Sequence, residues 1–219
     1  MDFNLIRTPL IACLALSLLF VSPAKSFAVN EIFGYSQKQY DSSRKLFPKW
    51  FGMTDRARDD DSKLSDCKPD FFNACFQNEL TKIMPKLRKL PKLHQVKAIN
   101  AFVNKMKYVS DTSTWGIKDY WAARWEFYGK NQGDCEDYAI AKYYTLKELG
   151  FPIASLRVVA VRDSNLNLGH AILMVELDGT SWVLDNRVKT IQRQDKVVHY
   201  IPVYSINEEH WWRHRPKKP

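Results

Sequence analysis

The sequence predicts an α+β fold in which helices come first and an antiparallel sheet follows, and three observations carry that expectation. Apolar residues recur at helical spacing from Leu93 to Met106. A well-capped run of helix formers extends from Asp134 to Leu149. Beyond Ser155 the period drops to two, with strand-like runs on either side of an Asp178-Gly179 turn. Residues 29 to 90 read as an N-terminal extension and helical part, and residues 91 to 219 as the core, in which the helix that begins at Cys135 packs on the sheet.

The first residues carry the layout of an export signal. Arg7 ends a short basic region, Leu10 to Val21 is almost wholly apolar, and Ser22 to Ala28 offers small residues for a cut after Ala28. Residues 1 to 28 are therefore expected to be a signal peptide, and the mature chain to be periplasmic. The apolar run is shorter than the roughly 20 residues a membrane-spanning helix needs. Leu10-Ile11-Ala12-Cys13 resembles a lipoprotein box, but the apolar run continues beyond Cys13, which argues against lipidation.

Removing the signal leaves Cys67, Cys75 and Cys135. In an oxidising compartment thiols tend to pair, so Cys67 and Cys75 are candidates for a local disulfide, with two free structural cysteines as the alternative. Cys135 is then the odd thiol. The Cys67–Cys75 spacing does not fit a zinc knuckle. The formal net charge of +9 includes Arg7 and Lys25 against Asp2 in the signal, so it falls by one on cleavage. Basic residues gather between Lys82 and Lys92 and again between Arg213 and Lys218. They favour an acidic protein or membrane surface, although solvated basic faces are the plainer reading. No nucleic-acid motif accompanies them.

Roughly 190 mature residues suit one globular domain. Residues 29 to 66 are polar and broken, which points to a segment that wraps or projects from the core. Asp59-Asp60-Asp61 lacks the alternating ligands and glycine of an EF-hand and reads as a solvated loop. The helix from Lys92 buries Leu93, Val96, Ile99, Phe102, Val103 and Met106 on one face, and Asp111 to Thr114 break the pattern. The aromatics Trp115, Tyr120, Trp121, Trp125, Phe127 and Tyr128 follow. Most belong in the core, and a few suit the wall of a peptide groove.

In the next helix Gly133 supplies a flexible turn, Asp134 is the N-cap, Glu136 and Asp137 occupy the first turn, and Gly150 with Pro152 ends it. Cys135 thus sits beside unpaired backbone N–H groups, which stabilise a thiolate and can bind an oxyanion. Three carboxylates beside the sulfur act in the opposite sense. A divalent cation held by Asp134, Glu136 and Asp137 would neutralise them, and oxygen ligands suit calcium, with backbone carbonyls or Asp119 completing the shell. A capped first turn matched to the helix dipole explains the same acids without a metal.

Downstream, Ser155 to Val161 reads as a strand and Asp163 to Leu168 as a loop. Gly169 to Leu177 and Thr180 to Asn186 form a hairpin about Asp178-Gly179. His170 lies eight residues before the turn and Asp185 six after it, so they face each other with a bulge or a longer return. A thiol, an imidazole and a carboxylate are the parts of an acyl-transfer site: Cys135 as nucleophile, His170 as base, and Asp185 fixing the tautomer. Asn186 is the rival for the orienting role, and His94, His199, His210 and His214 read as structural.

The runs Gly133 to Tyr143, Gly169-His170-Ala171 and Trp182 to Asn186 closely resemble the bacterial transglutaminase-like cysteine proteinase family and its LapG-type periplasmic branch. The likeness spans roughly Leu93 to Asn207. It implies a papain-like or transglutaminase-like core, the same roles for Cys135, His170 and Asp185, and calcium on Asp134 and Glu136 with Asp137 as a further ligand. It also implies a calcium-dependent endopeptidase that cuts a large surface adhesin near its N-terminus, at a small-residue site such as Ala-Ala. Release of the adhesin promotes biofilm dispersal, and the periplasmic domain of an inner-membrane cyclic di-GMP receptor sequesters the protease. Two alternatives stay open at this point. One is a transglutaminase-type acyl transferase working through the same thiol ester; the other is a non-catalytic binding module.

Overall fold

The computed structural model describes residues 31–58 and 76–217. The expected signal peptide, the Cys67–Cys75 pair and the Asp59-Asp60-Asp61 loop lie outside the described residues. Strands β1 (Glu31–Ile32) and β2 (Tyr35–Asp41) open the chain, followed by α1 (Pro48–Ala57), α2 (Phe76–Leu87), α3 (Lys92–Val103), α4 (Asp111–Trp115), α5 (Arg124–Lys130) and α6 (Cys135–Glu148). Short strands β3 (Lys107–Tyr108) and β4 (Gln132–Gly133) pair in parallel and lead the chain into α4 and α6. The remaining strands are β5 (Leu156–Asp163), β6 (Leu168–Leu177), β7 (Thr180–Leu184), β8 (Gln192–Arg193), β9 (Tyr200–Ile206) and β10 (His210–Arg215). Among the described residues no helix is long and apolar enough to cross a membrane.

Eight strands form one antiparallel sheet in the order β1-β2-β10-β9-β5-β6-β7-β8. Residues 31–41 therefore enter the main sheet, and α1 adds fully buried Trp50 and Met53 to the core. Gln194 lies between the two sheet edges. Its Oε1 accepts the Phe33 N–H at 3.4 Å and its Nε2 donates to the Glu31 carbonyl at 3.5 Å, so the sheet is curled. Alternation along β5 and β6 then separates two cores. Leu156, Val158, Leu173 and Val175 pack with the helices, whereas Val159, Val161, Ile172 and Met174 fill the inside of the curl with Ile32 and Tyr200. The inside also holds polar groups. Arg157 donates to Gln37 Oε1 at 2.9 Å and lies 3.8 Å from the Trp212 ring centroid, and His214 Nε2 is 3.0 Å from Ser205 Oγ.

Two local expectations change. Asp111 to Thr114 do not simply break the pattern but form α4 behind Ser110 at the N-cap, and Gly116 ends it at φ +69°. The return strand stops at Leu184 rather than Asn186. The hairpin turn has φ +51° at Asp178 and +74° at Gly179, the left-handed pair a tight two-residue turn requires. Its register runs regularly from Leu177–Thr180 to Leu173–Leu184. No bulge is needed: Asp185 lies diagonally from His170 on one face, within reach of a side-chain bond.

Candidate active site

The site is organised around the start of α6. Asp134 takes the N-cap position, and the expected capping role of its side chain passes to Asp137 in the first turn. Asp137 is fully buried; its Oδ2 accepts the Asp134 N–H at 3.3 Å and its Oδ1 accepts the Ala122 N–H at 2.8 Å. One buried carboxyl thus ties the helix start to the segment before α5. Gly133 serves close approach rather than a flexible turn. It has no left-handed φ, and a Cβ there would stand 2.4 Å from Asp137 Oδ2 and 2.8 Å from Phe127 Cδ2.

Cys135, half-exposed at the first helical position, donates its S–H to Glu136 Oε2 at 3.1 Å. Burial, then the Glu136 charge and hydrogen bond and the Asp134 charge, push the thiol pKa well up, while the Ala171 N–H acts in the opposite direction. Ala171 follows His170 on β6, the strand against which α6 packs. His170 and Asp185 are both buried, with Nε2 and Oδ1 2.9 Å apart. His170 Nδ1 is buried with no hydrogen-bond partner among the described residues. With Nε2 carrying the proton toward Asp185, Nδ1 is left as the basic nitrogen.

Asp185 is held by more than the imidazole. Tyr200 donates its hydroxyl to Oδ2, and the Arg187 N–H donates to Oδ1 at 2.8 Å. Asn104 from the end of α3 fastens the Asp185 carbonyl at 2.8 Å. Burial raises the Asp185 pKa, but the His170 bond and charge, the Tyr200 hydroxyl and the Arg187 N–H outweigh it and hold the carboxyl at about 2. Asn186, the rival, leaves its buried Oδ1 without a partner among the described residues. Lys142, two turns along α6 from Cys135, is fully buried; burial lowers its pKa to about 7 against the Asp185 charge, which raises it.

The acids beside the thiol converge with two more. Among the described residues, oxygens of Asp111, Asp119 and Glu136 lie within 4.8 Å of one another, as do those of Asp111, Asp134 and Asp137. Asp111, which sequence reasoning missed, starts α4. Its Oδ2 accepts the Tyr120 N–H at 2.5 Å, and its buried Oδ1 has no partner among the described residues. Asp119, at φ +63°, accepts Trp121 Nε1 at 3.1 Å and pairs with Lys49. Burial, then the Glu136 charge, raises the Asp134 pKa to about 8; burial, then the Asp134 charge, raises Asp111 to about 6. Burial also takes Asp137 to about 9 against the Ala122 bond. Converging carboxylates with buried unpartnered oxygens on Asp111 and Asp134 fit a hard cation such as calcium.

The family model of the bacterial transglutaminase-like cysteine proteinases (BTLCP) matches residues 67–217. Solved structures of Legionella pneumophila LapG match at 27% identity and a TM-score of 0.58, covering 74% of this chain and 86% of that one. A calcium-bound form matches equally, and an EGTA-treated form covers 84% of its own chain with the same identity and score. Comparison with curated proteins finds no match. The curled antiparallel sheet and the LapG likeness together support a transglutaminase-like fold. Since the family model spans well over half of the sequence, and includes the helix start, the hairpin and the strand carrying Tyr200, this chain belongs to the bacterial transglutaminase-like cysteine proteinase family.

Proposed function

We propose that this cysteine protease hydrolyses peptide bonds through a Cys135–His170–Asp185 triad and a thiol ester, and that it depends on calcium. The observation that carries the reading is the His170 ring: Nε2 is bound to a multiply anchored Asp185, and Nδ1 is buried and free to take a proton. Cys135 Sγ attacks the substrate carbonyl as His170 Nδ1 accepts the thiol proton. The Ala171 N–H supports the thiolate, and the first backbone N–H groups of α6 would stabilise the negative charge that develops on the carbonyl oxygen. His170 then returns the proton to the leaving amine, and water releases the acyl group.

Burial and the Glu136 and Asp134 carboxylates favour the protonated thiol. Asp134, Glu136 and Asp111, with Asp137 and Asp119 at the margins, would hold calcium, whose charge offsets theirs. The calcium-bound and EGTA-treated LapG structures support that cofactor. The likeness to LapG-type proteins also motivates the biological setting. After export by the signal peptide at residues 1–28, the periplasmic enzyme cuts the N-terminal region of a large surface adhesin and promotes biofilm dispersal. The periplasmic domain of a cyclic di-GMP receptor restrains it.

The test is cleavage of a purified adhesin N-terminal fragment by the mature protein, with calcium or EGTA, and with Cys135→Ala as control. Cutting that requires both calcium and Cys135 is expected. Cutting that survives Cys135→Ala would end the thiol-protease reading, and cutting unaffected by EGTA would end the calcium dependence. Product mass separates hydrolysis, which creates new termini, from acyl transfer to lysine, which loses ammonia.

A further inference from the structure

We infer that the aromatic cleft beside the acidic cluster is a subsite for an aliphatic or aromatic side chain of the substrate polypeptide, a few residues from the bond that is cut. The inference rests on the protease reading above. Leu46, Phe47, Pro48, Trp50, Trp121 and Tyr204 line a cleft together with Lys49. Its walls are preformed. Phe47 packs 5.1 Å from the Tyr204 ring and 5.2 Å from Trp211, and fully buried Trp50 stands edge-on to Trp121 at 6.4 Å. Leu46 forms an apolar lip that is 58% exposed. Such a wall matches ordinary ligand sites, which are mostly apolar and already shaped.

Continuity with the thiol identifies the occupant. Trp121 Nε1 donates to Asp119 Oδ1 at 3.1 Å, Asp119 and Glu136 oxygens come within 4.8 Å, and Glu136 Oε2 lies 3.1 Å from Cys135 Sγ. These contacts link the Trp121 wall of the cleft to the sulfur through two acidic side chains, a span that a few residues of extended peptide at roughly 3.3 Å each can bridge. A chain held with its carbonyl at Cys135 can therefore reach this wall. The Lys49 ammonium is paired with Asp119, so what the cleft offers an entering side chain is apolar surface. A polar side chain would lose water there without gaining a partner.

The test uses synthetic peptides with a central Ala-Ala, Ser elsewhere, and one Leu or Phe moved stepwise over two to five positions on either side. The mature protein in calcium is expected to favour one position about ten-fold over the all-Ser peptide, the scale of discrimination an apolar pocket gives. Leu46→Asp should reduce that selectivity ratio to near one, whereas Leu46→Met should keep it. Val198→Asp, at a 90% exposed position outside the cleft, should leave both selectivity and basal rate unchanged. Absence of any preferred position, or a preference that Leu46→Asp leaves intact, would overturn the subsite. If no peptide is cut, fluorescence anisotropy of the same peptides on Cys135→Ala separates the two ideas. Binding that favours Leu or Phe and requires Leu46 would keep the subsite and count against the protease reading. Binding indifferent to Leu46 would overturn the subsite.

Discussion

Replacing Gly133 by alanine tests how the start of α6 is held. The new Cβ would meet Asp137 Oδ2 at 2.4 Å, Phe127 Cδ2 at 2.8 Å and Asp137 Cβ at 2.9 Å. Asp137 and Phe127 are both fully buried, so neither can swing aside into solvent. Overpacking a rigid core costs about 1–3 kcal/mol. Moving Asp137 also strains its bonds to the Asp134 and Ala122 N–H groups, about 1 kcal/mol each. A loss of about 3–5 kcal/mol follows, which lowers Tm by roughly 6–20 °C for a chain of this size. Gly129→Ala is the control, because its Cβ would meet nothing within 4 Å in the last turn of α5. Thermal unfolding by circular dichroism, paired with peptide cleavage, reads both effects. Since the same shift displaces the turn that carries Cys135, activity should fall with stability. A Gly133→Ala protein that melts within about 1 °C of the parent at full activity would refute the argument.

Other outcomes follow from the same geometry. Tyr200→Phe removes the hydroxyl that donates to Asp185 Oδ2, so kcat/KM should fall about ten-fold with the fold retained; an unchanged rate would remove Tyr200 from the orienting network. Asp111→Asn takes a buried, half-unpartnered carboxylate out of the acidic cluster, and calcium affinity measured by calorimetry should weaken at least ten-fold. Equal affinity would exclude Asp111 from the cation site. Burial, with the Arg157 charge second, lowers the His214 pKa to about 4 from its ordinary 6.5. The native state therefore favours neutral His214; that contribution is full above pH 6.5 and is lost as pH falls toward 4, up to about 3 kcal/mol. Urea unfolding at pH 7.5 and 5 should show this loss, and His214→Gln should reduce it.

Several parts of the site were legible along the chain because neighbouring residues determine them. Asp134, Cys135, Glu136 and Asp137 announce a helix start by residue type, and Asp178-Gly179 announces a two-residue turn through its tolerance of left-handed φ. Once that turn is placed, a period of two brings His170 and Asp185 to one face, and the structure replaces the anticipated bulge by a diagonal contact. Gly133 was recognisable as a special position, but its reason was not, because the atoms that exclude a Cβ belong to Phe127 and Asp137 after folding.

The sequence by itself determined the thiol, imidazole and carboxylate, the helix that presents the first, and the hairpin that joins the other two. Local propensity and period are properties of adjacent residues, so they survive without knowledge of the whole. Only the tertiary structure decided that Asp111 and Asp119 join the α6 acids, that Tyr200 anchors Asp185, and that Leu46 and Phe47 meet Tyr204 beside the site. It also decided that β2 pairs with β10 and that Gln194 lies against Glu31 and Phe33. These contacts join residues far apart in the chain, and the path of the backbone through the sheet, rather than any pattern along it, brings them together.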